Sequence, residues 1–191
     1  MLSKSWGESM SSRKLWISAA TGDLLVGLGS LAAHGFTTAA AGSATRNTAR
    51  FAILFLLTGF AAPGLRKWFP NFTEPASLIR AYMAAQFVHF AFVINLHTAY
   101  AARVQIGLPQ VVISLLGFSM VAATGFTATA VTQGGIRIHT FLLYINWLIL
   151  AADYSKHPLW FMRFAAIPVF LALILRWLPR DKTEAAHAAQ A

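Results

Sequence analysis

Cysteine is absent from the 191 residues. This excludes disulfides, thiolate metal sites, cysteine-held iron–sulfur clusters and covalent c-type heme attachment, and it leaves the redox compartment unreadable from thiol usage. Acidic residues are scarce as well, six against fifteen Lys and Arg. An interfacial enzyme that gathers carboxylates around a lipid or isoprenoid substrate therefore has little to build with. Neither a Gly-rich dinucleotide fingerprint nor a phosphate-binding loop occurs. Only 11% of residues are charged, 57% are hydrophobic and mean hydropathy is +0.59, so no soluble catalytic domain fits in the chain. The net charge of +9 is scattered between apolar runs rather than gathered on one face, which argues against a nucleic-acid partner and for membrane anchoring.

What remains is apolar sequence in six runs: Leu15–Phe36, Phe51–Trp68, Leu78–Ala101, Leu108–Val131, Ile136–Tyr154 and Leu159–Trp177. Each is near the ~20 residues a helix needs to cross about 30 Å of hydrocarbon. Their length, without strict alternation, favours helices over barrel strands. The expected fold is all-α, a polytopic six-transmembrane-helix bundle with short connections and antiparallel neighbours. Residues 1–14 form an N-terminal segment, 15–178 the membrane domain and 179–191 a small-residue tail expected to be disordered. With the N-terminus inside, ten Lys and Arg, among them Arg13, Lys14, Arg66, Lys67, Arg80, Arg137 and Arg176, lie on the cytoplasmic side. Five lie opposite: Arg46, Arg50, Arg103, Lys156 and Arg163. That asymmetry predicts both termini cytoplasmic, in the cell's inner (plasma) membrane, with lipid as the first partner.

Ionisable groups inside such helices are costly enough to be functional candidates. The first helix carries Asp23, Gly27, Ser30 and His34 on one face, either a proton, ligand or quinone site or a hydrogen-bonding seam between helices. In the third, Tyr82, Gln86 and His89 share a face, with His97 close to it. His89 stands nine residues past Arg80, about 13 Å into the helix at ~1.5 Å per residue. In the fifth, His139, Asn146 and Asp153 recur every seventh residue, flanked by Tyr144 and Trp147. Two histidines on two helices of an antiparallel bundle match what bis-histidyl ligation of a b-type heme needs, with aromatic residues such as Phe87, Phe90, Phe92, Phe141, Tyr144 and Trp147 as a dry wall. A hydrogen-bonded packing role accounts for the same histidines without a cofactor.

Three stretches also resemble the ferric reductase-like transmembrane domain family, in particular its short bacterial heme-binding members, similar to the membrane heme subunit of the methionine sulfoxide reductase system. TARFAILFLLTGFAAPGLRKWFP (Thr48–Pro70) looks like that family's second helix, IRAYMAAQFVHF (Ile79–Phe90) its third, and IRIHTFLLYINWLILAADY (Ile136–Tyr154) its fifth. The resemblance implies an oxidoreductase's membrane subunit that holds one heme b between His89 and His139, with His97 and His34 as lesser ligand candidates. Where two-heme members have a second histidine late in the fifth helix, this chain has Ala152 and Asp153. In that picture Arg80 and Arg137 pair with heme propionates, and Asp153 and Asp23 relay protons. Electrons come from a quinol or a flavoprotein and leave to a metal ion, oxygen or a periplasmic reductase. The picture requires closure of a seven-residue offset in depth, because His139 lies two residues past Arg137 and His89 nine past Arg80. The contrasting expectation is a cofactor-free bundle, a scaffold or small accessory or transport subunit of a larger membrane complex.

Overall fold

The computed structural model describes residues 3–99, 108–155 and 160–177. Every regular element among them is helical: α1 (Ser3–His34), α2 (Thr38–Trp68), α3 (Pro75–Ala99), α4 (Leu108–Thr127), α5 (Gln133–Ser155) and α6 (Ala166–Trp177), with a 3-10 turn, Trp160–Ala165, leading into α6. The chain is an all-α six-helix membrane bundle. By length and composition, Arg13–His34, Thr38–Trp68, Pro75–Ala99 and Gln133–Ser155 can each cross a bilayer. The tail 179–191, Arg103 and Lys156 lie outside the described residues.

Three elements differ from the apolar runs. Helix α1 starts at Ser3 rather than Leu15, taking in most of the N-terminal segment 1–14. Helix α2 begins at Thr38 rather than Phe51, because TAAAGSATRNTAR is poor in hydropathy but rich in alanine, the best helix former. Thr37 caps it, its side-chain oxygen accepting the Ala40 N–H at 3.1 Å. The sixth run is not one α-helix. Pro168 has no N–H, which suits the first turn of a helix; α6 starts two residues before it, at Ala166, and the residues before that wind as a 3-10 turn. Laid end to end, the 3-10 turn and α6 still cover about 30 Å, at ~2.0 and ~1.5 Å per residue.

The topology is a closed ring with an outrider. Helices α2 to α6 each touch the next, α6 returns to α2, and among the described residues α1 contacts only α2 and α3. The core confirms the division, since Leu56, Phe60, Ile79, Tyr82, Val121, Leu143, Leu150 and Val169 come from the five ring helices and α1 adds none. Instead α1 seats small residues, Ala19 and Gly27, against the seam of α2 and α3, where Ala40, Ala41 and Ala44 are buried. Exposed Leu, Ile, Val and Phe on every helix give the lipid-facing surface.

The ring closes where α2 and α6 cross. A Cβ at Gly64 would fall on the main chain at the Leu175 carbonyl, so only glycine permits this approach. Gly64→Ala should therefore lower the thermal stability of the detergent-purified protein by about 1–3 kcal/mol through overpacking. Gly29→Ala, where added carbon meets nothing within 4 Å, should leave the melting curve unchanged or slightly raised. Equal melting curves for the two variants would show that the α2–α6 crossing is looser than drawn.

Candidate functional site

Inside lipid, backbone and side-chain polar groups must find partners in the protein, so the polar side chains of the ring fall into bonded groups. The central one is built on Asn146 of α5. Its Oδ1 accepts from the Tyr82 hydroxyl at 3.1 Å, and its Nδ2 donates to Thr124 Oγ1 at 3.0 Å and to the Leu142 carbonyl at 2.9 Å. Thr124 Oγ1 donates in turn to the Met120 carbonyl at 2.7 Å. Helices α3, α4 and α5 are thus tied by one fully buried cluster.

His139, two turns before Asn146 on the same stripe, bonds the same threonine from the other side. Its Nδ1 lies 3.2 Å from the Thr124 carbonyl and 3.2 Å from Thr127 Oγ1. A carbonyl only accepts, so Nδ1 carries the proton and Nε2 the lone pair. His89 is held in the same manner, by α2. Its Nδ1 lies 3.1 Å from Thr48 Oγ1, whose own hydrogen is directed at the Ala44 and Thr45 carbonyls at 2.9 and 3.0 Å. His89 Nδ1–H therefore donates and Nε2 keeps its lone pair. A ring N–H donated to an oxygen with the other nitrogen bare is how ligand histidines are oriented.

Taken singly, each imidazole is dressed for ligation; taken together, the two stand at different depths. His139 shares a cleft with Pro63 and Ile79. His89 stands ten residues beyond Ile79 on α3, and its partner Thr48 fifteen residues before Pro63 on α2. At ~1.5 Å per residue these offsets are about 15 and 22 Å, whereas axial ligands face one another across a single iron. Between the two depths the ring is filled by Tyr82, Asn146 and Thr124, all buried, and the two histidines turn to different helices, α2 and α4.

The other expected site residues are dispersed. Tyr144 and Trp147 face α2 and α6: Phe60 stacks on Trp147 and meets Tyr144 edge-on, at centroid distances of 5.8 and 5.1 Å, and Trp147 Nε1 donates to the Val169 carbonyl at 2.9 Å. Phe87 and Phe90 pack on Phe118 of α4, Phe92 lies on Gly27 of α1, and Phe141 points outward. Arg80 donates to Thr129 Oγ1 at 2.9 Å, while Arg137, Asp153 and His34 are exposed. His97 lines an apolar groove of about 350 Å³ between α3 and α4, its Nδ1 buried without a partner. Among the described residues no three His, Asp or Glu side chains gather as a metal site.

Asp23 is the charged departure from the bonding rule, beside the neutral Thr38 Oγ1 and His97 Nδ1. It is fully buried, and both carboxyl oxygens lack a hydrogen-bond partner. Its position is the middle of the span Arg13–His34. The neighbours fix its level: Gly22 abuts Phe51 of α2, and Gly27 abuts Phe92 of α3. Since α1 and α3 start at the same end, Asp23 is level with Val88 and His89, in the layer where Thr48 holds His89. From that layer toward His34 the seam stays polar, with Asn47 Nδ2 donating to Ser30 Oγ at 3.0 Å. Toward Arg13 it is closed by Ala19 and the apolar Ala52 and Leu56.

Arg176, read from sequence only as a basic anchor, enters the core. Its Nη1 donates to the Phe60 carbonyl at 2.8 Å and its Nε to the Tyr144 hydroxyl at 3.2 Å, and the guanidinium lies 4.7 Å from the centroid of the Phe60 ring. The signal was present in the spacing, because Arg176 shares the buried stripe of α6 with Val169 and Ala172, seven and four residues earlier.

The chain matches no protein-family model, no curated protein and no solved structure. What the site does must therefore be argued from its own geometry. For the central cluster, Asn146→Leu should cost about 1–2 kcal/mol, because it strands the buried Tyr82 hydroxyl and Thr124. Tyr82→Phe should cost nearer ~0.6 kcal/mol, the average for a hydrogen bond between membrane helices. Denaturant unfolding in detergent reads both; a reversed order would mean that the cluster does not bear on stability.

Proposed function

We propose that this chain is a multi-pass membrane subunit that takes up and releases a proton at Asp23, acting as an accessory or transport subunit of a larger membrane assembly. The observation that carries this reading is the buried Asp23 carboxyl with no hydrogen-bond partner at mid-span. An ionised carboxylate without a partner is expensive in that surrounding, and a bound proton removes the charge. Exchange runs toward the His34 end, along Ser30 and Asn47, because the seam toward Arg13 is apolar. His89 is the neighbouring titratable group from α3, and Arg46 and Arg50 of α2 are exposed on its outer side. In this reading both termini are cytoplasmic and the membrane is the cell's inner membrane.

The test is infrared difference spectroscopy of the protein in liposomes, between acidic and alkaline buffer. A protonated-carboxyl C=O band that titrates in the native chain and is lost in Asp23→Asn, with helicity and melting unchanged, is the expected result. No titrating band above that of the Asn variant would remove the proposal.

A second reading keeps one supporting observation. Both His89 and His139 donate Nδ1–H and hold Nε2 free of partners among the described residues, as ligand histidines do. Under it the chain is a heme b electron-transfer subunit served by quinol or a flavoprotein. Because the two imidazoles stand at different depths, this reading needs a rearrangement of α5 against α3. A reduced-minus-oxidised absorption spectrum of protein made with ample heme decides it. A sharp b-type band lost in both His89→Ala and His139→Ala supports heme, and a flat spectrum ends the reading.

A further inference from the structure

Independently of Asp23, the geometry points to a phosphate-anion site at Arg176, in the cleft shared by α2, α3, α4, α5 and α6. All the elements lining this cleft meet at one end of the bundle: Pro63 near the end of α2, Glu74 and Ile79 around the start of α3, Thr127 at the end of α4, His139 early in α5 and Arg176 at the end of α6. The cleft holds about 300 Å³, room for a phosphate group and its first substituents. The lower wall is apolar, of Pro63, Ile79 and Leu143, and the polar groups converge above it.

Arg176 is aimed, not mobile. Two of its nitrogens are tied to Phe60 and Tyr144, and both rings flank the guanidinium, at 4.7 and 5.3 Å. Its Nη2 donors have no partner among the described residues, and no carboxylate there pairs with its charge. Arg66, by contrast, pairs with Glu74, at 3.8 Å. A guanidinium held in a fixed orientation and lacking a counter-charge suits a phosphate oxygen. His139 adds an acceptor of known tautomer: with Nδ1–H committed to Thr124, its Nε2 takes a hydrogen bond from a hydroxyl beside the phosphate. Such an anion at the end of a helix bundle, with apolar wall below, is the chemistry of an anionic lipid headgroup. Free phosphate shares it. Glu74, exposed at the rim, opposes the anion and sets a sign for the test.

The experiment uses the full chain, delipidated in nonionic detergent, with binding read by native mass spectrometry and by the shift of the melting temperature. The probes are phosphatidylglycerol, phosphatidylcholine and inorganic phosphate. Phosphatidylglycerol is expected to bind and stabilise, phosphatidylcholine not to, and Arg176→Gln to weaken binding about tenfold, the worth of one charge-assisted hydrogen bond. Because Arg176 also braces the core, Glu74→Gln supplies the second arm. That change lies at an exposed residue and should tighten binding several-fold. Inorganic phosphate competing with phosphatidylglycerol, weakened in Arg176→Gln and strengthened in Glu74→Gln, would support the site with a free anion as its source. Equal binding of both lipids, or affinity unmoved by Glu74→Gln together with Arg176→Gln, would overturn it.

Discussion

Asn146 commits each of its hydrogen-bonding atoms to a neighbour in a place where no water can substitute. Apolar side chains facing lipid gain nothing by exchanging an acyl chain for another helix, so directional bonds and close packing must choose the partners. The Tyr82–Asn146–Thr124 cluster makes that choice for α3, α4 and α5. The Gly64 crossing with Leu175, braced by Arg176 on the Phe60 carbonyl, makes it for α2 and α6. Between them these two joints determine the ring, and the aromatic contacts of Phe60 with Tyr144 and Trp147 fill what the joints enclose.

Against that economy, the groups left unsatisfied stand out. Serine and threonine hydroxyls are mostly turned back onto their own helix carbonyls, as Thr48, Thr124 and Thr127 are. The Asp23 carboxyl has no such escape. Its isolation is a property of the α1 seam rather than of the ring, and so the polar features of the molecule separate into two systems. One is structural and closed, around Asn146. The other is open-ended, in the layer of Asp23, Thr48 and His89.

Much of this was legible from sequence, and the parts that were not share a cause. Hydropathy summed over a helix length marks a membrane crossing well, which is why six helices could be counted. The seven-residue spacing of His139 and Asn146 shows on a helical wheel, and both do bond Thr124. Hydropathy could not see the first four turns of α2, which are helical by alanine content and buried by smallness. Register between helices was equally invisible: the depth of His89 on α3 and of His139 on α5 can be counted along each helix, but that Thr48 holds one and Thr124 the other depends on how the helices slide together. Arg176 was hidden by a competing rule, because an arginine near a helix end reads first as a membrane anchor.

The seating of α1 outside the ring bears on how the molecule comes into being. Helix α1 precedes in the chain the two helices that make its seat, α2 and α3, so it must wait in the membrane until both have been inserted. During that interval Asp23 has no seam to hide in, and a chain that kept a carboxyl at this position carries the cost of its exposure at every round of synthesis. The core cluster of the five-helix ring, by contrast, takes no residue from α1. The joint that α1 then makes is a broad one: it lies along both α2 and α3 more extensively than α4, α5 and α6 lie along one another.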